Sequence, residues 1–379
     1  MIYLDHAATS YPKKEKVYRM LDRLNRDMAV SAGRGMYRKS RDASRLIENV
    51  RKKMSGILDW DSPQDIYFTA SATEAANRVL LGIEWKMGQR IYLSYYEHNA
   101  VARVVEHLRR IYKLQVDFLP VDRSGQIDLA ATEKAFQNAS PDLVCITMVS
   151  NVTGYILPVQ QLAMLVHKYG GCVVADASQA LGVIPVSLQK IKADYVIFTG
   201  HKALGGPMGV GGFVKCCDRH LLPVIFGGNG RNSLSLEMPP DGSERYEVGT
   251  MNVPAIGALG EALENLPAIQ QTLSYERKLI HYAEAGLTPI GNIKCYQRNI
   301  KEEYMTGIIS ISVAGYDPAE VAEILDREYD IAVRSGYHCA PYIHKIIGSS
   351  RAGTVRISVG DTNTYQEIDM LISALCTLA

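Results

Sequence analysis

The sequence has almost no net charge: 41 Lys+Arg against 40 Asp+Glu leaves +1. Without a basic excess, nothing in the composition directs the chain to nucleic acid or to a membrane surface. Long apolar runs are missing too; none approaches the roughly 20 residues that a membrane-spanning helix needs. The start, MIYLDHAATS, has no basic stretch followed by an apolar one, so no secretory leader is expected. Cysteine is present seven times, but the number is odd, the positions are scattered and no C-x-x-C pair occurs. A disulfide framework and a structural zinc site are therefore not expected, no metal is expected, and a reducing cytoplasm is the expected compartment. Internal repeats and low-complexity segments are lacking. What is there is 379 residues, 47 % hydrophobic and 21 % charged, an ordinary globular composition. At roughly 100–200 residues per domain, the length predicts two domains or three.

Between residues 60 and 215, short apolar runs alternate with amphipathic stretches. Strands are predicted at 65–69, 90–94, 114–119, 143–149, 172–175, 195–198 and 210–214, and helices at 72–86, 99–112 and 159–169. Such alternation implies βαβ crossovers and a mostly parallel sheet with helices on both faces. Near-continuous Val/Ile runs suit strands buried on both sides. Residues 227–252 are rich in Gly, Pro, Asn and Ser and predict no element, and so long a loop is expected to be functional or mobile. One long helix is predicted over 254–285 with Gly286 as its stop. Strands at 306–313 and 353–359 and helices at 318–328 and 364–377 then predict a smaller α+β unit.

In an open α/β sheet, ligands bind beyond the carboxyl ends of the strands. Polar and ionisable groups follow five strand ends here: Ser71–Glu74, His98, Asn151–Thr153, Asp176–Gln179 and Thr199–Lys202. Ser71 and Thr73 open a helix, a ready anion site. Asp176 and Lys202 define a reaction class. A pyridoxal phosphate site needs a lysine for the Schiff base, an acid to keep the pyridine nitrogen protonated, and a phosphate cradle. Alone, Asp176 reads as a helix cap, Lys202 as a solvated side chain and His98 as a surface histidine. Their common placement at one sheet edge favours the functional reading.

Residues 3–9 (YLDHAAT), 73–77 (TEAAN), 97–100 (EHNA), 150–154 (SNVTG), 176–179 (DASQ), 199–202 (TGHK), 249–252 (GTMN) and 334–341 (RSGYHCAP) together resemble the cysteine desulfurases. These are class V aminotransferases among the fold-type I pyridoxal phosphate enzymes, and the resemblance covers nearly the whole chain. It implies an α/β fold with a large domain, 16–257, built on a mostly parallel seven-stranded sheet. A small α+β domain, 258–379, would carry the cysteine loop, and segment 1–15 would pack with it and the active site. The implied cofactor is pyridoxal 5'-phosphate. Lys202 would carry it, Asp176 would pair with the ring nitrogen, Gln179 with the ring hydroxyl, and His98 would stack on the ring and assist proton transfer. Ala72, Thr73, Thr199 and His201 would hold the phosphate. Thr250 would reach the phosphate of a neighbouring subunit, which implies a homodimer. Asn151 would lie beside cofactor or substrate, and Arg356 would clamp the carboxylate of L-cysteine with its planar fork.

Cys145 and Cys172 lie in apolar runs and read as core; Cys376, on the last helix, is expected to pack; Cys216, Cys217 and Cys295 have no convincing ligand set. Cys339 differs, in a Gly/Pro-punctuated loop with His338 beside it and Arg334 shortly before. Nearby cations raise a thiol's thiolate fraction. The expectation is that Cys339 attacks the substrate sulfur, becomes a persulfide and leaves L-alanine. The short run from Cys339 to Arg356 resembles the short-loop branch of the family, which implies that an acceptor protein or small thiol comes to the site. A selenocysteine lyase, a cysteine C–S lyase and an inactive scaffold of the same fold are the alternatives.

Overall fold

The computed structural model of the chain describes residues 1–33, 35–228, 234–296 and 299–378. Its largest sheet has seven strands in the order Ile66–Thr69, Gly211–Lys215, Tyr195–Thr199, Cys172–Asp176, Leu143–Thr147, Arg90–Leu93, Gln115–Phe118. Gly211–Lys215 runs antiparallel to both neighbours, and the last five strands are parallel. Each predicted strand is present within two residues of its expected ends. The physical reason is burial on both faces. Val144 and Ile146 enter one apolar cluster while Leu143 and Cys145 enter the other, the two-residue period of a covered strand. The helix Arg38–Leu58 packs Ile47, Val50 and Met54 into the first cluster. The helices Ala72–Gly82 and Asn99–Tyr112 pack Val79, Val101 and Val105 into the second.

A second sheet, entirely antiparallel, has the order Arg334–Gly336, Thr354–Ser358, Ile308–Val313, Ile293–Cys295. The helices Ile269–Leu287, Pro318–Tyr329 and Tyr365–Cys376 close a third apolar cluster over it. The N-terminal strand Ile2–Tyr3 pairs in parallel with Ile331–Ala332, and Asp5 then bridges to Ser358. The chain start is thus stitched to the strand that carries Arg356.

Four expectations need correction. The helix expected over 254–285 is two, Val253–Glu264 and Ile269–Leu287. Pro267 lies in the break, and proline disfavours helical geometry in the residue before it. Gly286 does not stop the second helix but lies inside it, where a Cβ would fall 2.4 Å from Ile372 Cδ1; it serves close packing. Cys376 is exposed, because the last helix buries Ile368, Leu371, Ala374 and Leu375 and position 376 falls off that stripe. The loop 227–252 contains a short helix, Ser243–Tyr246, while its residues 229–233 lie outside the described residues. Its far end is anchored by a buried ion pair between Arg51 and Glu247, and Glu247 also accepts from Phe68 N at 2.7 Å.

Candidate active site

The carboxyl ends of the parallel strands open on a cleft of about 780 Å³. Ala72, Thr73, His98, Asn151, Asp176, Gln179, Thr199, His201, Lys202 and Arg356 all line it. These ten come from five strand ends and the second sheet. Asp176 ends its strand with Oδ1 accepting from Ser178 N at 2.8 Å, and the carboxylate faces the cleft. Gln179 donates Nε2 to Ala7 O at 2.7 Å, which ties the N-terminal segment to the cleft floor.

Lys202 ends the Thr199–Lys202 turn. Burial pushes its pKa down to about 8; Asp176 pulls it up, and Arg356 and Arg334 push it down further. Residues 9–13 clasp the turn: Thr9 Oγ1 donates to His201 O at 2.9 Å and Ser10 Oγ to Lys202 O at 2.9 Å. His98 caps the Asn99–Tyr112 helix with Nδ1 accepting from Ala100 N at 3.0 Å. Nδ1 is then an acceptor and the ring proton belongs on Nε2. Burial pushes the His98 pKa down to about 4, so the ring is neutral at ordinary pH.

The cleft offers an anion several donors that nothing among the described residues uses. Ser71 caps the Ala72–Gly82 helix by accepting from Glu74 N at 3.1 Å, which leaves the first N–H groups of that helix without an intrahelical acceptor. Thr199 Oγ1 and Ser178 Oγ are buried without partners. Buried hydroxyls are almost always hydrogen-bonded. Unused donors at one end, an acid at the other and a lysine with a depressed pKa between them fit pyridoxal phosphate.

Arg356 is fully buried, at 0 % exposure. It donates Nη1 to Asn151 O at 2.9 Å and pairs through Nη2 with Asp5, while Nε has no partner. Directly across the ladder stands Arg334. Like charges in that register repel. Asp5 offsets one of them, and the other meets a thiol: Arg334 Nη2 lies 3.1 Å from Cys339 Sγ. His338 and Cys339 both have left-handed backbones, φ +49° and +58°, an unfavourable conformation for residues with a Cβ. Two bonds hold it: Asn99 N donates to Cys339 O at 2.6 Å and Asn151 Nδ2 to His338 O at 2.7 Å.

The sequence predicts His338 as a second cation beside the thiol; the structure overturns this. His338 turns inward to Thr354 Oγ1 at 2.9 Å, and burial pushes its pKa well below the usual histidine range. Thr250 is outside the cleft, exposed near Arg51 and Ser31. Asp5 and Glu97 are site residues that the sequence alone does not assign, whereas Arg334 stands at the thiol as the sequence predicts. Asp5 lies inside the YLDHAAT run, but nothing local tells that it meets an arginine near the other end of the chain. Glu97 accepts from Ser94 Oγ at 2.6 Å and Thr147 N at 2.7 Å, and burial raises its pKa to about 8. It bridges two strand ends. Among the described residues, no His/Cys/Asp/Glu group could hold a metal and no helix is long and apolar enough to cross a membrane.

The chain matches the family model for class-V aminotransferases over residues 2–371. A probable cysteine desulfurase of Pyrococcus abyssi is 33 % identical, with 99 % of this chain and 93 % of that protein aligned. One from Methanothermobacter thermautotrophicus is 30 % identical over 100 % of this chain and 94 % of that protein. Among solved structures, the apo cysteine desulfurase of Thermococcus onnurineus superposes with a TM-score of 0.92 at 28 % identity, covering 100 % of this chain and 94 % of that one. The chain belongs to the class-V aminotransferase family and, within it, to the cysteine desulfurases.

Proposed function

We propose that this protein takes sulfur from L-cysteine onto Cys339 and releases L-alanine. The observation that carries the reading is the Arg334–Cys339 contact of 3.1 Å beside a cleft that also holds Lys202, Asp176 and Arg356. When bound, pyridoxal phosphate supplies an electron sink for the charge left on the substrate's α carbon. Lys202 would hold the cofactor's aldehyde carbon, Asp176 its ring nitrogen and Gln179 its ring hydroxyl. The amides of Ala72 and Thr73, Thr199 and His201 would hold its phosphate. His98, neutral with its proton on Nε2, would cover the ring.

Arg356 receives the substrate carboxylate, and its unused Nε–H is one donor for it. Lys202 Nζ, once free, takes the α proton. Cys339, as thiolate beside the Arg334 cation, attacks the substrate sulfur. The S–S bond forms as the C–S bond breaks and the bonding pair goes to the β carbon; a proton added at the β carbon and the return of the proton held by Lys202 to the α carbon complete alanine. Asn151 and the Asn99 amide hold the nucleophile's loop, so the persulfide has little reach. An acceptor protein or small thiol therefore collects the sulfur at the site. The protein acts as a cytoplasmic homodimer with Thr250 completing the partner's phosphate site. Segment 1–15 and residues 258–379 form the unit that closes on the large domain, 16–257. Product assay tests the reaction: alanine equimolar with transferred sulfur is expected, whereas pyruvate and ammonia would mean elimination.

Asp5 is a positioning residue in this reading. It touches Arg356, and without it a buried guanidinium loses its counter-ion. Asp5→Ala should raise KM for L-cysteine about tenfold or more and change kcat less than about threefold in steady-state kinetics. An unchanged KM would remove Asp5 from the account.

Lys202 gives a pH dependence. Only the neutral amine captures the cofactor's aldehyde, and burial holds the pKa at about 8. Below that pH the amine is protonated, so cofactor uptake by the apo-protein should quicken as pH rises to about 8 and then level off. Stopped-flow absorbance reads this. A rate still climbing near the ordinary lysine value of about 10.4 would contradict it.

A further inference from the structure

A second cavity, of about 930 Å³, lies between the N-terminal segment, the turn after Lys202 and the break between the Val253–Glu264 and Ile269–Leu287 helices. It shares Ala7, Ser178, Gln179 and Lys202 with the cofactor cleft, and the desulfuration chemistry leaves the rest of its wall unused. Two polar groups on that wall have no partner. Glu276 is only 7 % exposed, and no donor among the described residues reaches its carboxyl. His6 Nε2 is buried and unpaired. Glycines give both of them room. A Cβ on Gly307 would fall 2.8 Å from Glu276 Oε2, and one on Gly360 would fall 2.6 Å from His6 Nδ1.

Buried carboxyls without donors are rare because desolvation is not repaid. The lysines on the same wall do not pair with Glu276. Lys13 donates to Ser10 Oγ at 2.7 Å and to His201 O, Lys14 donates to Asn265 O at 2.5 Å, and Lys202 is committed to the cofactor. A second acid, Asp361, also lines the cavity and interacts unfavourably with Glu276. His6 adds no positive charge, since burial pushes its pKa down to about 4. The remaining surface includes the apolar Val17, Leu204 and Leu266. Pockets at the junction of structural units, apolar with a few convergent polar groups, are typical small-molecule sites.

We propose that this cavity binds a small organic cation carrying several N–H donors on an apolar body, with Glu276 as its counter-ion. A guanidinium head suits it, because its planar fork meets a carboxylate with two parallel hydrogen bonds. The site does not depend on Cys339 being a nucleophile.

The probe is n-butylguanidinium chloride, titrated calorimetrically into the holoenzyme; unlike an amine, it does not condense with the cofactor's aldehyde. The control is n-butylurea, neutral and nearly isosteric. Saturable binding of the cation is expected with a dissociation constant at or below about 1 mM, at least about tenfold tighter than the urea. Glu276→Gln should erase that preference with the cofactor absorbance unchanged. Asp361→Asn, at an exposed position, should reduce the preference, and it decides the matter should Glu276→Gln not fold. No saturable heat up to about 10 mM, equal binding of the two probes, or a preference that survives these substitutions would overturn the proposal.

Discussion

Cys339→Ser is expected to lower turnover of L-cysteine by at least about 10³-fold, or about 4 kcal/mol of transition-state stabilisation, without loss of the cofactor's visible band. The size follows from the chemistry. A serine hydroxyl beside Arg334 stays protonated and is a poor nucleophile toward sulfur, so the C–S bond has no group to receive the departing sulfur. Position and charge would survive the change: Arg334 keeps its place on the strand, and the loop keeps its ties to Asn99 and Asn151. Alanine production assayed beside cofactor absorbance separates loss of the nucleophile from loss of the site. Undiminished alanine release would mean that sulfur leaves without Cys339.

Lys202→Ala is the other large effect. The lysine has two tasks, holding the cofactor covalently and moving the α proton. Loss of a positioned proton-transfer group alone costs about 10²–10⁴-fold. The combined loss should leave turnover at least about 10⁴-fold down. Borohydride reduction of the wild-type holoenzyme should fix cofactor to the Lys202 peptide, and in the variant it should fix none. Cofactor fixed at another lysine of the wild-type protein would place the anchor elsewhere.

The fold was legible in the sequence where burial is one-dimensional. Runs such as LVCIT and YVIFT are buried at every residue, so hydrophobicity alone marks them. The break at Asn265–Ala268 was not legible, because apolar periodicity resumes in the next helix and outweighs a single proline. Gly286 misled for a related reason: a glycine that admits Ile372 looks in sequence like one that ends a helix.

The site divides in the same way. Groups that follow strands were legible, because a parallel sheet brings its carboxyl ends to one edge whatever the intervening helices do. Lys202, Asp176, His98 and Thr199 needed only that rule. The Asp5–Arg356 pair needed the N-terminal strand to add beside Ile331–Ala332, a long-range pairing with no local signature. The inward turn of His338 depends on the left-handed backbone at 338 and 339, which is set by tertiary bonds to Asn99 and Asn151. Sequence adjacency suggested a cation, and the fold removed it. Arg334 is the cation in contact with the thiol.

The central claim is that sulfur passes through Cys339. Holoenzyme incubated briefly with L-cysteine, alkylated and digested, should yield a Cys339 peptide heavier by one sulfur atom, with alanine formed in the same amount. Mass spectrometry of that peptide reads the claim directly. Alanine released in full while the Cys339 peptide stays unmodified, or added sulfur found only on another cysteine, would contradict it.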